Sequence, residues 1–153
     1  MMKWLWRIVL VGVAALIIWQ VWQRVFVTDE TRIKRQIAVM TSAVEKGNLL
    51  RLSDVVATDY SDDSGMDKST LLVEVRAFRS PYDSLSIHLS EVTVTVDPDH
   101  QKAHAEFIAK VIARNKGGSS ENEVHSGQMR LFFRKDDAGW ELIRAESPEA
   151  KFD

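Results

Sequence analysis

Few side chains in this chain are placed to do chemistry, and three lead: Tyr60, His125 and Arg144. Proton transfer needs a histidine or carboxylate set in apolar surroundings, with a tyrosine or acid donor opposite. His125 and Arg144 fall on the apolar side of a two-residue alternation in the C-terminal half, and Tyr60 precedes that half. The alternation offers no inward carboxylate. His125 could act as an acid or base, Tyr60 as a donor, and Arg144 could meet an anionic ligand. The plainer reading of each is structural: a rim histidine, a packed tyrosine and a strand-end arginine reaching solvent. Asp59, Asp62, Asp63 and Asp67 cluster, but they lack the ligand spacing and closing glutamate of a calcium loop, and read as a solvated turn and a helix cap.

Metal and covalent chemistry have less support. There is no cysteine, which excludes disulfides, thiolate metal sites and cysteine nucleophiles. Strand spacing puts His88 roughly 17 Å and His125 roughly 24 Å from the level of His104, whereas zinc holds its ligands near ~2 Å. No metal site and no cofactor are expected. The formal net charge of -2 over 153 residues advertises no nucleic-acid surface.

Those residues must be held by elements that the hydrophobic pattern defines. Residues 1–27 read as a transmembrane anchor: Ile8 to Trp19 is uninterrupted apolar or small sequence, and Trp4 to Trp22 as a helix would span ~28 Å, close to the ~30 Å hydrocarbon core. Trp4, Trp6, Trp19 and Trp22 fit interfacial belts, with Lys3, Arg7 and Arg24 flanking. A cleaved signal peptide would leave the apolar run through small residues. Here the exit is Trp19-Gln20-Val21-Trp22-Gln23, which favours a retained anchor. The expected address is a single-pass protein of the bacterial inner membrane with its domain facing outward, touching lipid through the N-terminal helix.

Residues 28–147 read as one α+β domain, followed by a tail over 148–153. Thr28 or Asp29 caps a helix carrying Ile33, Ile37, Met40 and Val44, and Gly47 stops it. A short helix follows through Leu52 and Val55. Asp67 caps a third helix with Leu71, Leu72, Val75 and Phe78, ended by Pro81. After that the period becomes two. Leu85, Ile87 and Leu89 alternate, then slip by one to Val92, Val94 and Val96, which predicts a β-bulge. Ala103 to Ala113 form a second strand, a Gly117–Ser120 turn follows, Met129, Leu131 and Phe133 belong to a third, and Trp140 and Leu142 to a fourth.

The predicted registers pair Phe107 with Met129, Ala105 with Leu131, and Ala103 with Phe133. Leu131 is paired with Arg144, Phe133 with Leu142, Val92 with Ala105 and Leu89 with Phe107. The result is three helices on a curved, four-stranded antiparallel sheet. On its polar outer face Ile108, Ile112, Phe132 and Ile143 stand out as an apolar patch, which predicts a homodimer.

The order helix, helix, Asp59-Tyr60, helix, four long strands resembles the nuclear-transport-factor-2-like superfamily, in its ketosteroid-isomerase-like and polyketide-cyclase-like branches. The residues that carry the likeness are Ala43 to Leu52 (AVEKGNLLRL), Asp59-Tyr60, and Phe132 to Leu142 (FFRKDDAGWEL). Asn48 stands where the family often has aspartate. The resemblance implies a cone-shaped pocket between sheet and helices and frequent dimerisation through the sheet. It also implies a function drawn from isomerases, cyclases, dehydratases and non-catalytic binding domains. The favoured expectation is a membrane-tethered, non-catalytic binding or scaffold domain for an envelope-protein partner or a small apolar ligand. The alternative is a small pocket enzyme of isomerase or dehydratase type.

Overall fold

The computed structural model describes residues 11–21, 28–117 and 122–148. The predicted Trp4–Trp22 span, the Gly117–Ser120 turn and the tail after Pro148 lie wholly or partly outside those residues. Residues 11–21 (α1) are helical and exposed throughout. Among the described residues no helix is long and apolar enough to cross a membrane.

Helix α2 (Asp29–Lys46) starts where the Thr28 hydroxyl accepts the Thr31 N–H at 3.3 Å. It buries Ile33, Ile37, Met40 and Ala43 at helical spacing. It stops at Gly47, whose φ of 67° suits a residue without Cβ. There the Asn48 N–H returns to the Ala43 carbonyl and the Gly47 N–H to that of Val44, which satisfies the last turn. Helix α3 (Leu49–Val55) is capped by the Asn48 side chain at 3.1 Å and buries Leu52 and Val55. Asn48, the departure from the family pattern, therefore fills a capping role that aspartate fills equally well. Helix α4 (Lys68–Arg79) is capped by Asp67 at 2.8 Å. It buries no residue fully; Leu71, Leu72 and Val75 lean on the core half-exposed.

Strands β1 (Tyr82–Val96), β2 (Lys102–Asn115), β3 (Asn122–Asp136) and β4 (Gly139–Glu146) form one antiparallel sheet in the order β1-β2-β3-β4. The β2–β3 register is the predicted one, with Phe107 opposite Met129, Ala105 opposite Leu131 and Ala103 opposite Phe133. The β1–β2 bulge falls between Ser90 and Thr93, but Val94, not Val92, faces Ala105, and Leu89 faces Ala109. That shift of two residues keeps every side chain on its predicted face. Two further irregularities, neither predicted, fall between Tyr82 and Ser84 in β1–β2 and within β3–β4. Phe133 pairs with Leu142 as expected, but Leu131 pairs with Ala145 and Phe132 with Arg144, leaving Ile143 as the extra residue.

The core lies between α2, α3 and the inner sheet face, around Ile33, Phe107, Leu131, Phe133, Trp140 and Leu142. The α3–α4 connection docks on the β4 edge: Ala57 N–H donates to the Leu142 carbonyl and Ser61 N–H to that of Ile143. One end of the sheet is tied to the start of α2 through Asp29, whose carboxylate accepts from Trp140 Nε1 and Lys135 Nζ at 3.2 Å each, with His100 Nδ1 at 3.0 Å.

Candidate functional site

The structure does not bring the three predicted residues together. Tyr60 is buried in the main core. Burial, then the charges of Asp62 and Asp63, push its phenol up to about 12, so it stays neutral at any physiological pH. His125 faces Val111, six residues up β3 from Leu131, or roughly 20 Å at strand rise. Tyr60 packs in the same cluster as Leu131 and Leu142, so the two cannot act on one small substrate. Arg144 is a correction. The β4 irregularity moves it from the inner to the outer face, beside Phe132. There its guanidinium donates to Asp63 at 2.6 Å and pairs with Glu146 at 2.9 Å. It closes the α3–α4 connection onto the sheet and lines no inner pocket.

The acidic cluster is structural. Asp59 receives a two-pronged bond from Arg134, at 2.8 Å to each oxygen. Asp62 accepts the N–H groups of Ser64 and Met66, at 2.9 and 2.8 Å. Among the described residues no group of three His, Cys, Asp or Glu side chains is placed to hold a metal ion.

What the sequence reading missed is a carboxylate on the inner face. Glu123 lies opposite Ala113, two residues before His125, so both side chains share the concave side of the sheet. Asn115 Nδ2 donates to one Glu123 oxygen at 3.0 Å and the Tyr82 hydroxyl donates to the other at 2.8 Å. His125 Nε2 stands 3.6 Å from the same carboxylate. The Asn115 bond, then the Tyr82 bond, hold the Glu123 carboxyl below its ordinary range and keep it ionised. The bond to Glu123 and then burial push the Tyr82 phenol up. Tyr82 is steadied in turn by the edge of Phe78, 5.7 Å away between centroids, and by Arg79, which donates to its carbonyl.

Beside this constellation the concave face is incompletely covered. Gly127 faces Ala109, the smallest pair on the inner surface. A Cβ built on Gly127 would meet nothing within 4 Å. Leu89, Val111 and Met129 around it are half-buried, whereas Ala105, Phe107 and Leu131 farther along are buried. Leu89, Ala109 and Met129 still pack against the main core, and Tyr82, Leu85 and Ala113 beyond them are buried, so the inner face is least covered on β3, from Glu123 to Gly127. An imidazole beside a fixed carboxylate is a candidate acid–base pair.

The outer face also departs from expectation. Phe132 stacks loosely on His104, 6.1 Å between centroids. Between the rows of Phe132 and Ile108 runs Glu106–Arg130–Glu146, with Arg130 bonded to Glu106 at 2.6 Å. Lys110 stands between Ile108 and Ile112, and Ile143 sits at the irregularity. The four apolar residues therefore do not form a contiguous patch.

No family model matches the chain, and no curated protein matches it. Solved structures do. A candidate scytalone dehydratase from Novosphingobium aromaticivorans superposes with a TM-score of 0.67 at 15% identity, over 75% of this chain and 79% of that one. A protein with a cystatin-like, nuclear-transport-factor-2-like fold from the same species gives 0.63 at 23% identity, over 78% and 80%. A candidate dehydratase of that fold family from Streptomyces avermitilis gives 0.66 at 17%, over 78% and 94%. Three helices packed on a four-stranded antiparallel meander, superposing on those structures over three quarters of the chain, give this domain the nuclear-transport-factor-2-like, cystatin-like α+β fold.

Proposed function

We propose that the domain binds a small, mainly apolar carbonyl compound on the open stretch of its concave face and acts on it as an isomerase or dehydratase. The observation that carries this reading is the Tyr82–Glu123–His125 constellation beside the partly covered Gly127–Ala109 pair, where a Cβ on Gly127 would meet nothing within 4 Å. The candidate dehydratases among the similar structures support it over the scaffold reading that the sequence alone favoured. His125 is the acid–base group, Glu123 orients and stabilises it, and Tyr82 and Asn115 fix Glu123. His125 removes a proton α to the carbonyl. In isomerisation the proton returns at the γ carbon; in dehydration it leaves with the β-hydroxyl as water. We further propose that the apolar N-terminal segment tethers the domain to the bacterial inner membrane, with the domain outward.

The test uses the full chain in detergent with a cyclic β-hydroxy ketone and a β,γ-unsaturated ketone, both of which yield a conjugated enone with a strong ultraviolet band. His125→Ala should lower turnover by at least about a hundredfold, the lower range for a general base, with Glu123→Gln less severe. Gly127→Leu should block binding without unfolding the domain. No turnover of either compound would sink the enzyme reading. A second reading, ligand binding without turnover, is favoured by the 63% exposure of the His125 side chain. Acid–base groups are usually tuned by burial. Binding that Gly127→Leu abolishes, with no enone formed, would select it.

A further inference from the structure

At the corner where α2 turns into α3, a hollow of about 250 Å³ is lined by Gly47, Leu49, Arg76, Arg79, Ser80 and Lys116. Three of its six residues are cations and none is an acid. Arg79 donates to the backbone carbonyls of Glu45, Tyr82 and Asp83, all neutral acceptors that leave its charge uncompensated. Among the described residues neither Arg76 nor Lys116 has a carboxylate partner. Glu45, next to Lys46, turns its carboxylate away to the Ile87 N–H at 2.7 Å. A second hollow on the other side of Gly47 adds Lys46 and Arg51, again with no acid in its lining.

Arg76 and Arg79 occupy the last turn of α4, and cations there commonly complement the helix dipole. That role does not exhaust the charge. The C-terminal ends of α2 and α4 supply about half a negative charge each, which offsets roughly one of the three cations. About two positive charges remain on the lining itself, and the ionised Glu123 carboxylate, bonded to Asn115 beside Lys116, offsets part of them.

We propose that this hollow binds a phosphate-type oxyanion. A residual charge above one, spread over several donors, favours a polyvalent oxyanion over a monoanion, and Arg76, Lys116 and the Ser80 hydroxyl supply the donors. The site is separate from the concave face, although Arg79 holds the Tyr82 carbonyl and so shares a residue with it.

The experiment is calorimetric titration of the full chain in detergent with inorganic phosphate, with acetate, and with sodium chloride at matched ionic strength. Phosphate should bind saturably and more tightly than acetate, with no corresponding isotherm for chloride. Arg76→Ala and Lys116→Ala should each weaken it about tenfold or more, the effect of losing one charged hydrogen bond. Lys34→Ala, the same charge change on the exposed side of α2, should leave it within about twofold, the scale of a screened surface charge. Circular dichroism of each variant checks folding. Phosphate binding no better than chloride overturns the proposal. So do hollow variants that bind like the parent, and so does a Lys34→Ala loss equal to theirs, which would assign the effect to net charge.

Discussion

Replacing Asp29 by Asn tests how the start of α2 is fixed to the sheet. The Asp29 side chain is only 15% exposed, and its carboxylate accepts from Trp140 Nε1, Lys135 Nζ and His100 Nδ1, with an Arg32 guanidinium nitrogen 4.0 Å away. Asparagine keeps one acceptor but loses the charge and places an NH₂ among donors. Hydrogen bonds to charged groups contribute about 1.5–3 kcal/mol, and an acid in the first turn adds about 0.3–1 kcal/mol against the helix dipole. With the retained acceptor discounted, Asp29→Asn should cost about 2 kcal/mol at pH 7. Burial works to raise the Asp29 carboxyl, but the bonds from Trp140, Lys135 and His100 together hold it below its ordinary value. A group depressed on folding stabilises fully above its unfolded pKa, near ~3.9 for aspartate. That stabilisation is lost as pH falls through the lower folded value. Urea unfolding followed by circular dichroism should therefore show the full gap between parent and variant at pH 7 and at pH 5, and a shrinking gap below about pH 4. A variant as stable as the parent at pH 7, or a gap undiminished at pH 3, would refute the reasoning.

Four further outcomes are expected. Intact-mass measurement of protein extracted from membranes should find the N-terminal segment retained, because the exit through Trp19 to Gln23 offers a peptidase no small residues; a mature chain starting after Trp22 overturns this. A chain beginning at Thr28 should unfold in one sigmoidal thermal transition, since the core residues among those described all lie beyond that point. Phe133→Ala, at a side chain 1% exposed between α2 and the sheet, should cost about 3–5 kcal/mol in urea unfolding. A homodimer through the outer face would have to accommodate the Glu106–Arg130–Glu146 row, so sedimentation should show a weak, salt-sensitive pair that Phe132→Glu abolishes without unfolding; a parent monomeric at high micromolar concentration removes the dimer.

The helices were legible because their signals are local: a Thr28 or Asp67 cap, a Gly47 stop, apolar residues three and four apart. The β2–β3 register was legible because two long apolar alternations agree in only one alignment. The β1–β2 register was not fixed by the same logic. A two-residue slide sets Leu89 against Phe107 or Ala109, both apolar, and keeps both faces intact, so the connection after Val96, closed by the Asp97 N–H on the Lys102 carbonyl, decided it. The β3–β4 irregularity left a faint trace: inward Leu142 is followed by inward Ala145, a three-residue step like that from Leu89 to Val92. Alanine is too small to announce a face, so Arg144 was assigned to the wrong one. Glu123 was missed for a related reason. Beyond Met129 the inner positions are Gly127, His125 and Glu123, which break the apolar pattern that marks an inner face. The residues that open the concave surface are the ones that hide it from a hydrophobicity reading.

These placements give the domain two dissimilar ends. The chain enters at Thr28, where Asp29, His100, Lys135 and Trp140 are cross-tied by hydrogen bonds. His125 lies ten residues up β3 from Lys135, roughly 34 Å away at strand rise. Tyr82, Glu123 and the Arg79–Lys116 hollow cluster at that far end. On the tether proposed above, the cross-tied end is the one nearer the apolar segment in sequence, and the candidate acid–base groups lie at the other end of the sheet. A substrate drawn laterally from the lipid would have to travel the length of the sheet to reach His125. One arriving from solution meets the exposed Glu123–His125 edge and the cationic corner first. The geometry therefore favours a water-borne ligand with an apolar body.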